Sequence, residues 1–401
     1  MDKALVIFLA TYAVIALGQP PLFRIDRTGA ALIGASLMVV LGVLSIEAAY
    51  QAVDYQTVVL LFSMMIVVAN LRLSGFFHLV SSRVMGLVRT PSLLLLVLIP
   101  VSGLLSALFI NDTVCLALTP LVLGLTGRMG LNPVPFLLAL CMASNIGSVA
   151  TITGNPQNIM IGSFSQMAYA RFTLRMLPIA LAGLVVTYAV IWAGYRGRFL
   201  AHGSAQAAPR ARVHRPLLIK SSAVSLAMVA LFFLGVNMTI AAMGAATFLL
   251  ITRRVKPERV YNAVDWRLLL LFVGLFIVVK GAEHSGLAVK ALQAMGERTV
   301  GHPAFLVASS ALLSNVVSNV PAVMLFKPLI PAMPDPEAAW LLLAMGSTLA
   351  GNLTILGSIA NLIVIEGARP TVRISLLEYM KVGVPVTALS IAFGFLWLTA
   401  F

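Results

Sequence analysis

The chain has 401 residues, of which 60% are hydrophobic and only 10% are charged, and its mean hydropathy is +1.01. This composition excludes a soluble globular domain, in which about a quarter of the residues are charged. The net charge of +14 does not indicate a nucleic-acid partner, because the basic residues lie in short loops between apolar segments, as they do on the cytoplasmic side of membrane proteins. Cys115 and Cys141 lie inside apolar segments, which indicates two small packing residues rather than a disulfide framework, with contact between a thiol and a thiophilic solute as the alternative. The five histidines are scattered, so no metal site is predicted.

Apolar segments recur along the whole chain, and many approach the roughly 20 residues that cross the hydrocarbon core. We therefore predict an all-α polytopic protein of the cell (inner) membrane, whose direct surroundings are the lipid bilayer. The ten predicted spans lie near residues 3–18, 29–46, 56–73, 133–161, 176–195, 218–235, 237–252, 266–282, 337–365 and 376–400.

The chain also repeats itself. The run at 49–62 reads again, with substitutions, at 260–273, and single polar residues recur in the same order further on. They are Ser106, Asn111, Ser144, Thr151, Gly154 and Asn158 in the first half, and Ser314, Asn319, Ser347, Thr354, Gly357 and Asn361 in the second. The sequence therefore predicts one repeat at 1–195 and another at 218–401, joined by a linker at 196–217.

Charges in equivalent loops indicate how the two repeats are oriented. The loop at 47–54 contains two acidic residues and no basic one, whereas its counterpart at 253–265 contains four basic residues, and the linker contains five arginines. By the positive-inside rule, the linker is cytoplasmic and the repeats are inverted across the membrane. Arg171 and Arg175 fall on the predicted outer side, which weakens this pattern without reversing it.

Each repeat contains a helical hairpin and a helix with a polar break. The hairpins are predicted at 93–126 and 303–331, each after an amphipathic segment, at 76–88 or 287–298, and the broken helices at 133–161 and 337–365. We favour hairpins that re-enter the membrane, because their polar tips would otherwise be ordinary aqueous turns. Two full crossings per hairpin remain an alternative, and either arrangement preserves the inversion.

The hairpin tips and helix breaks are the predicted substrate site. Unwound backbone is tolerated at membrane depth only where it is buried in protein or lines a cavity, and the ends of half-helices attract ions and polar groups. The alternative for each polar cluster alone is close packing between helices. The predicted substrate-binding residues are Asn111, Thr113, Thr151, Thr153, Gly154, Asn155, Asn158, Ser318, Asn319, Thr354, Gly357, Ser358 and Asn361.

Two charged residues are candidates for ion coupling. Asp112 lies at the first hairpin tip, where a carboxyl group can carry a proton or, when ionised, bind Na⁺; its alternative role is to cap the second arm of the hairpin. Lys327 lies in the second hairpin, where its ammonium could replace a coupling cation or meet an anionic substrate, or simply extend to the interface. We expect no cofactor and no bound metal.

These motifs resemble the arsenite-permease, or anion-permease, branch of the ion transporter superfamily, which also includes silicon efflux transporters and, more distantly, sodium symporters for divalent anions. The resemblance is carried by Asn111-Asp112-Thr113, Ser144-Asn145-Ile-Gly147, Gly154-Asn155-Pro156-Gln157-Asn158 and Ser314-Asn315-Val-Val-Ser318-Asn319-Val-Pro321. It implies a scaffold domain and a transport domain that moves as an elevator, often in a homodimer. The dicarboxylate symporters carry Ser-Asn-Thr at both tips, and this sequence departs from that pattern at each.

The sequence thus predicts a secondary transporter rather than an enzyme, since no paired acid and base is evident. The resemblance implies that the substrate is a small inorganic anion or metalloid, such as arsenite, antimonite or silicate, exported in exchange for protons. Sodium-coupled uptake of a di- or tricarboxylate or another anion and sodium/proton exchange are the alternatives. A passive channel would need a continuous polar pore.

Overall fold

The computed structural model describes residues 3–17, 24–88, 90–198, 213–252, 255–286 and 302–400. Every regular element in these ranges is a helix, so the predicted all-α class is confirmed. The amphipathic segment predicted at 287–298, the loop residues Arg253 and Arg254, and most of the linker, 199–212, lie outside the described residues.

Ten helices form the first half of the described chain. They are α1 (Lys3–Leu17), α2 (Arg27–Val40), α3 (Ile46–Ala52), α4 (Tyr55–Ser74), α5 (Phe76–Leu87), α6 (Pro91–Leu108), α7 (Asn111–Arg128), α8 (Val134–Val149), α9 (Pro156–Ser165) and α10 (Tyr169–Tyr195). The described helices of the second half follow the same order. They are α11 (Arg215–Phe233), α12 (Met238–Leu250), α13 (Pro257–Tyr261), α14 (Trp266–His284), α15 (Pro303–Val317), α16 (Asn319–Phe326), α17 (Pro336–Ala350), α18 (Ile359–Ala368) and α19 (Leu376–Ala400).

Five of the described helices, α4, α6, α10, α11 and α19, are long and apolar enough to cross a membrane. Six further apolar helices of 10–17 residues, α1, α2, α8, α12, α15 and α18, are shorter than that limit. Helices α8 and α18 are short because each is one half of a broken helix, so a crossing at these places uses two half-helices in series.

Corresponding helices in the two halves begin with the same N-terminal cap, an aspartate side chain. The side chain of Asp54 accepts hydrogen bonds from the backbone N–H groups of Gln56 and Thr57 at the start of α4. Asp265 accepts from the N–H of Leu268 at the start of α14. An N-terminal aspartate satisfies backbone donors that have no partner within the helix, so both long helices are fixed at the position that the repeated sequence motif predicts.

The helices pack as two groups. Helices α1, α2, α4, α11, α12 and α14 contact one another, and α6, α7, α8, α10, α15, α17, α18 and α19 form the second group. The groups meet where α4 contacts α9, where α14 contacts α16 and where α1 contacts α15. Both hairpins and both broken helices therefore belong to the second group or to its boundary.

The two hairpins differ in their second arms. In the first, α6 and α7 are each 18 residues long and are separated by a short turn at residues 109–110. In the second, α15 has 15 residues but α16 has only eight and ends at Phe326. Pro328 and Pro331 follow closely, and proline lacks the N–H that continues a helix. The chain therefore ends this arm in a turn and a short 3-10 segment, Ile330–Ala332.

Candidate substrate site

The breaks in the two interrupted helices have the same backbone geometry. Each is a short 3-10 turn flanked by two extended residues. In the first break these residues are Thr151 (φ −137°, ψ 160°) and Asn155 (φ −153°, ψ 162°). In the second they are Thr354 (φ −134°, ψ 162°) and Ser358 (φ −145°, ψ 141°). The half-helices α8 and α17 thus end, and α9 and α18 begin, inside the protein.

An asparagine in each second half-helix closes the end of the first one. The Nδ2 of Asn158 donates to the carbonyl oxygens of Ser148 (3.1 Å) and Thr151 (3.0 Å). The corresponding Asn361 donates in the same way to the carbonyl oxygen of Gly351 (2.7 Å). The last carbonyls of a helix have no partner within it, so these amides satisfy acceptors that water would otherwise have to reach.

Glycine is required where the chain turns back on itself. A Cβ atom on Gly154 would lie 2.3 Å from the carbonyl oxygen of Ser148, and one on Gly357 would lie 2.7 Å from Oδ1 of Asn315. Gly147, near the end of α8, is as tightly placed, since a Cβ there would lie 2.1 Å from the carbonyl oxygen of Gly103 in α6. The breaks and the first hairpin therefore depend on close backbone contact.

Asn145, in the last part of α8, is the centre of one group of polar side chains. Its Nδ2 donates to Oδ1 of Asn352 (2.8 Å) and to Oδ1 of Asn361 (3.0 Å). Its Oδ1 accepts from Nδ2 of Asn111 (3.0 Å) and from the hydroxyl of Ser358 (3.0 Å). An asparagine amide has two donor and two acceptor positions, and Asn145 uses all four. We name these five residues the Asn145 cluster.

Thr348, at the equivalent place in α17, is the centre of a second group. Its hydroxyl accepts from Nε2 of Gln157 (3.1 Å) and from Nδ2 of Asn155 (3.4 Å). It donates to Oδ1 of Asn158 at 3.5 Å. We name Thr348, Gln157, Asn155, Asn158 and Asn319 the Thr348 cluster.

Asn319 brings the tip of the second hairpin into the Thr348 cluster. In the amide orientation that its neighbours require, its nitrogen donates to the carbonyl oxygens of Gly357 (3.1 Å) and Ser347 (3.2 Å). Its oxygen accepts from Nε2 of Gln157 at 3.1 Å. The tip of the second hairpin is thereby joined to both breaks.

Each of the two clusters joins residues from both halves of the chain. Asn145 belongs to the first half and bonds to the second break, whereas Thr348 belongs to the second half and bonds to the first break. Each hairpin tip also takes part, through Asn111 in one cluster and Asn319 in the other. The breaks and tips therefore form one hydrogen-bonded unit.

This unit is buried and carries no formal charge. Each side chain of the two clusters exposes 8% or less of its surface, and all of them are amides or hydroxyls. An amide or hydroxyl that loses its partner in such a place costs about 1–3 kcal/mol, and the groups satisfy one another except at Oδ1 of Asn111, which is buried without a partner. Within the described ranges, no three His, Cys, Asp or Glu side chains converge as a metal site would require.

Asp112 lies beside the unit rather than within it. It is half-buried and lines a small cavity of about 50 Å³ with Thr113, Arg72 and Asp265. Arg72 lies in the last turn of α4 and Asp265 at the start of α14. The carboxyl of Asp112 therefore faces the boundary between the two helix groups, one residue from Asn111 of the Asn145 cluster.

Several predicted residues make other contacts. The hydroxyl of Thr153 lies 3.0 Å from that of Tyr169, and Thr354 donates to Oδ1 of Asn315 at 3.0 Å. The hydroxyl of Thr151 donates to the carbonyl oxygen of Ala107 in α6. Ser318 precedes α16 with a positive φ of 77°. The ammonium of Lys327 lies 4.5 Å from the ring centre of Phe164 in α9, which is a cation–π contact away from both clusters.

The clusters bring together six of the predicted side chains. These are Asn111, Asn155, Asn158, Asn319, Ser358 and Asn361, with Gly357 contributing its carbonyl oxygen.

Four residues of the clusters were not among the predicted site residues, namely Asn145, Gln157, Thr348 and Asn352. Asn145 and Gln157 stand in the motifs that carry the family resemblance, so a signal for them was present. Thr348 follows Ser347 as Asn145 follows Ser144. The repeat therefore pairs position 348 with position 145, which was a signal for Thr348. Asn352 lies two residues before the second break and opens the same polar segment of the sequence, 352–361, so a signal for it was present as well.

The chain is similar in sequence to known membrane proteins over almost all of its length. Residues 12–350 match the model of a protein family described as citrate transporter. The chain belongs to the citrate transporter family. A 46 kDa membrane protein of Mycobacterium leprae is 33% identical to it, with 98% of both chains covered. The silicon efflux transporter of Oryza sativa is 32% identical, with 93% of this chain and 92% of the relative covered.

A solved structure has the same fold as this member of the citrate transporter family. The YdaH transporter of Alcanivorax borkumensis superposes with a TM-score of 0.62, covering 100% of this chain and 98% of its own at 15% sequence identity. With the apolar helices described above, these relatives make the protein a multi-pass membrane protein. It is a secondary transporter and not an enzyme.

Proposed function

We propose that the protein is a proton-coupled exporter of a small inorganic anion or metalloid such as arsenite, antimonite or silicate. The observation that supports this substrate class most is the absence of charge in the two clusters, where every side chain is an amide or a hydroxyl. Arsenous and silicic acids are uncharged at neutral pH and consist of hydroxyl groups, each of which can donate and accept. Amide and hydroxyl side chains are also uncharged and can both donate and accept hydrogen bonds, so they suit such a solute.

A citrate trianion would be a poorer fit to the same groups. Burying a charge without a compensating partner is costly, and neither cluster contains a cationic side chain. Lys327, a candidate for that role, contacts Phe164 instead. Sodium ions bound with the substrate would remove this objection, and the description of the family as citrate transporters makes sodium-coupled citrate uptake the second candidate.

Asp112 is the proposed coupling residue. It adjoins Asn111, whose amide donates to Asn145, and it faces the boundary between the two helix groups. A carboxyl at such a boundary can bind a proton on one side and release it on the other when the groups move past each other. We propose that α6–α10 and α15–α19 form the moving group, carrying the clusters intact in an elevator movement.

Transport by the purified protein in liposomes tests this proposal. With an imposed pH gradient, arsenite, antimonite, silicic acid, citrate and Na⁺ are supplied in parallel to the wild type and to Asp112→Asn. We expect proton-driven movement of arsenite or silicic acid that the mutation abolishes. Sodium-driven citrate uptake that persists in the mutant would overturn the substrate, the coupling ion and the role of Asp112 together. Flux that follows the substrate gradient alone would indicate a channel.

A further inference from the structure

We propose that the substrate binds in the Thr348 cluster, while the Asn145 cluster is a lock that holds the two halves of the transport unit together. The inference rests on the proposed function for the class of substrate, a small uncharged hydroxylated acid. It narrows the predicted site, because it removes Asn111, Ser358 and Asn361 from the residues that touch substrate. The two clusters are equivalent in the repeat, so the choice between them depends on how they differ.

The amide at the centre of the Asn145 cluster has no free hydrogen-bonding position, although Oδ1 of Asn111, at the edge of the cluster, is buried without a partner. All four positions of the Asn145 amide are occupied by protein groups at 2.8–3.0 Å. Two of these protein groups make further hydrogen bonds of their own. Nδ2 of Asn361 donates to the carbonyl oxygen of Gly351 at 2.7 Å, and Nδ2 of Asn352 donates to that of Met142 at 3.3 Å. A substrate here would have to break several short bonds and replace each of them.

The Thr348 cluster is held more loosely. Of the three contacts of the Thr348 hydroxyl, the one to Gln157 is an ordinary hydrogen bond of 3.1 Å, and those to Asn155 and Asn158, at 3.4 and 3.5 Å, are longer than ordinary hydrogen bonds. The Nε2 of Gln157 donates one hydrogen to Thr348 and the other to Asn319, each at 3.1 Å. Asn155 makes its shorter bond elsewhere, to the hydroxyl of Ser148 at 2.9 Å. Substrate hydroxyl groups can therefore displace these contacts at small cost.

The second hairpin tip offers a way to open this cluster. Asn319 follows Ser318, whose φ of 77° is unusual for a residue with a side chain and stores conformational strain. No side-chain hydrogen bond caps the start of α16 at this residue. A change of backbone conformation at Ser318 would withdraw the Asn319 amide from Gln157 and expose Thr348, Gln157 and Asn155 to a solute.

Two substitutions that each remove one buried hydroxyl form a matched test. Thr348→Val removes the hydroxyl at the centre of the Thr348 cluster, and Thr126→Val removes a buried hydroxyl of α7 that donates to the carbonyl oxygen of Val122 and belongs to neither cluster. For arsenite or silicic acid transport in liposomes, we expect Thr348→Val to raise KM about ten-fold, the effect of losing roughly one good hydrogen bond. Thr126→Val should leave KM within about two-fold of the wild type, and Thr348→Ser, which keeps the hydroxyl, should have a KM close to that of the wild type. The reverse ranking of KM values would overturn the inference.

A second measurement needs no substrate. If the Asn145 cluster is the lock, Asn145→Ala should lower the melting temperature in detergent by many degrees, and Thr348→Val should lower it much less. Equal losses would contradict the division of roles whatever the substrate is. If neither arsenite nor silicic acid is transported while the melting temperatures differ as expected, the proposed substrate class fails and the lock stands. If transport occurs and the melting temperatures are equal, the proposed function stands and the lock fails.

Discussion

Asn145 and Asn352 are 207 positions apart in the chain, yet their side-chain amides are joined by a hydrogen bond of 2.8 Å. The bond connects the end of α8 in the first half to the residue just before the second break. With the contacts of Thr348 to the first break, it makes each half of the chain a support for the unwound segment of the other. Neither break is held by its own half alone, so the two must move together.

The first prediction concerns this bond. Asn145→Ala removes four hydrogen bonds at once and leaves buried groups of Asn111, Asn352, Asn361 and Ser358 without that partner. An unsatisfied buried polar group costs about 1–3 kcal/mol, so we expect the free energy of unfolding to fall by at least about 3 kcal/mol. The measurement is the melting temperature of the purified protein in detergent.

Asn262→Ala is the control for that experiment. Asn262 is exposed at the end of α13, and a surface substitution of this kind changes stability by about 0.5 kcal/mol or less. An Asn145→Ala protein as stable as Asn262→Ala would show that the cluster contributes nothing to holding the halves together.

Glycine positions give the second prediction. At Gly147 a Cβ atom would lie 2.1 Å from a backbone oxygen of Gly103, whereas at Gly124 in α7 no atom lies within 4 Å of the added group. Gly147→Ala must therefore push α8 away from α6, and we expect loss of expression or a strongly lowered melting temperature. Gly124→Ala should be neutral or stabilising by up to about 1 kcal/mol, because alanine is the better helix former. Equal melting temperatures would mean that α6 and α8 do not approach as closely as the structure has them.

The sequence predicted much of the architecture because the repeat is visible in it. The polar runs at Asn111, Asn155, Asn319 and Ser358 are interruptions of apolar sequence, and the structure has hairpin tips or breaks at all four. The limits of the two repeats and their inversion across the membrane stay predictions.

The partners of the polar groups could not be predicted in the same way. Nothing in a local pattern says that Asn145 bonds to the other half of the chain, because such contacts depend on how helices far apart in sequence pack. The same limit applies to single side chains. Thr153 and Lys327 were placed in the site by their neighbours in sequence, but the structure has them against Tyr169 and Phe164. The role of every predicted site residue in transport stays a prediction.

The cysteines give a third prediction. Cys115 and Cys141 are free thiols with no exposed surface, and buried cysteine behaves as a small apolar residue. We expect the double variant Cys115→Ala and Cys141→Ala to transport arsenite with a KM within about two-fold of the wild type, since the thiols contribute packing rather than ligands. A large rise in the KM for arsenite, without one for silicic acid, would show that a thiol contacts the metalloid.

Thiol labelling provides an independent check on the same residues. In the folded wild type, neither cysteine should react with a maleimide, whereas Gln51→Cys, at an exposed position of α3, should react under the same conditions. Rapid labelling of Cys115 would show that the region around the first hairpin tip opens to water.

The last prediction separates coupling from binding. If Asp112 carries the proton and the Thr348 cluster binds the substrate, Asp112→Asn should abolish net transport driven by a pH gradient while leaving exchange of labelled for unlabelled substrate across the liposome membrane. Exchange requires only that the loaded site moves between the two sides, which a neutral residue at position 112 permits. Uptake of labelled substrate and the internal pH of the liposomes, reported by a dye, measure the two activities in one preparation.

Asp265→Asn is the matched control, because Asp265 lines the same cavity and asparagine can replace it as the cap of α14. That variant should keep proton-driven transport. Loss of both activities in Asp112→Asn would instead assign Asp112 to substrate binding or to the structure of the hairpin tip, and loss of coupling in both variants would make the whole cavity, rather than Asp112 alone, the site of the coupling proton.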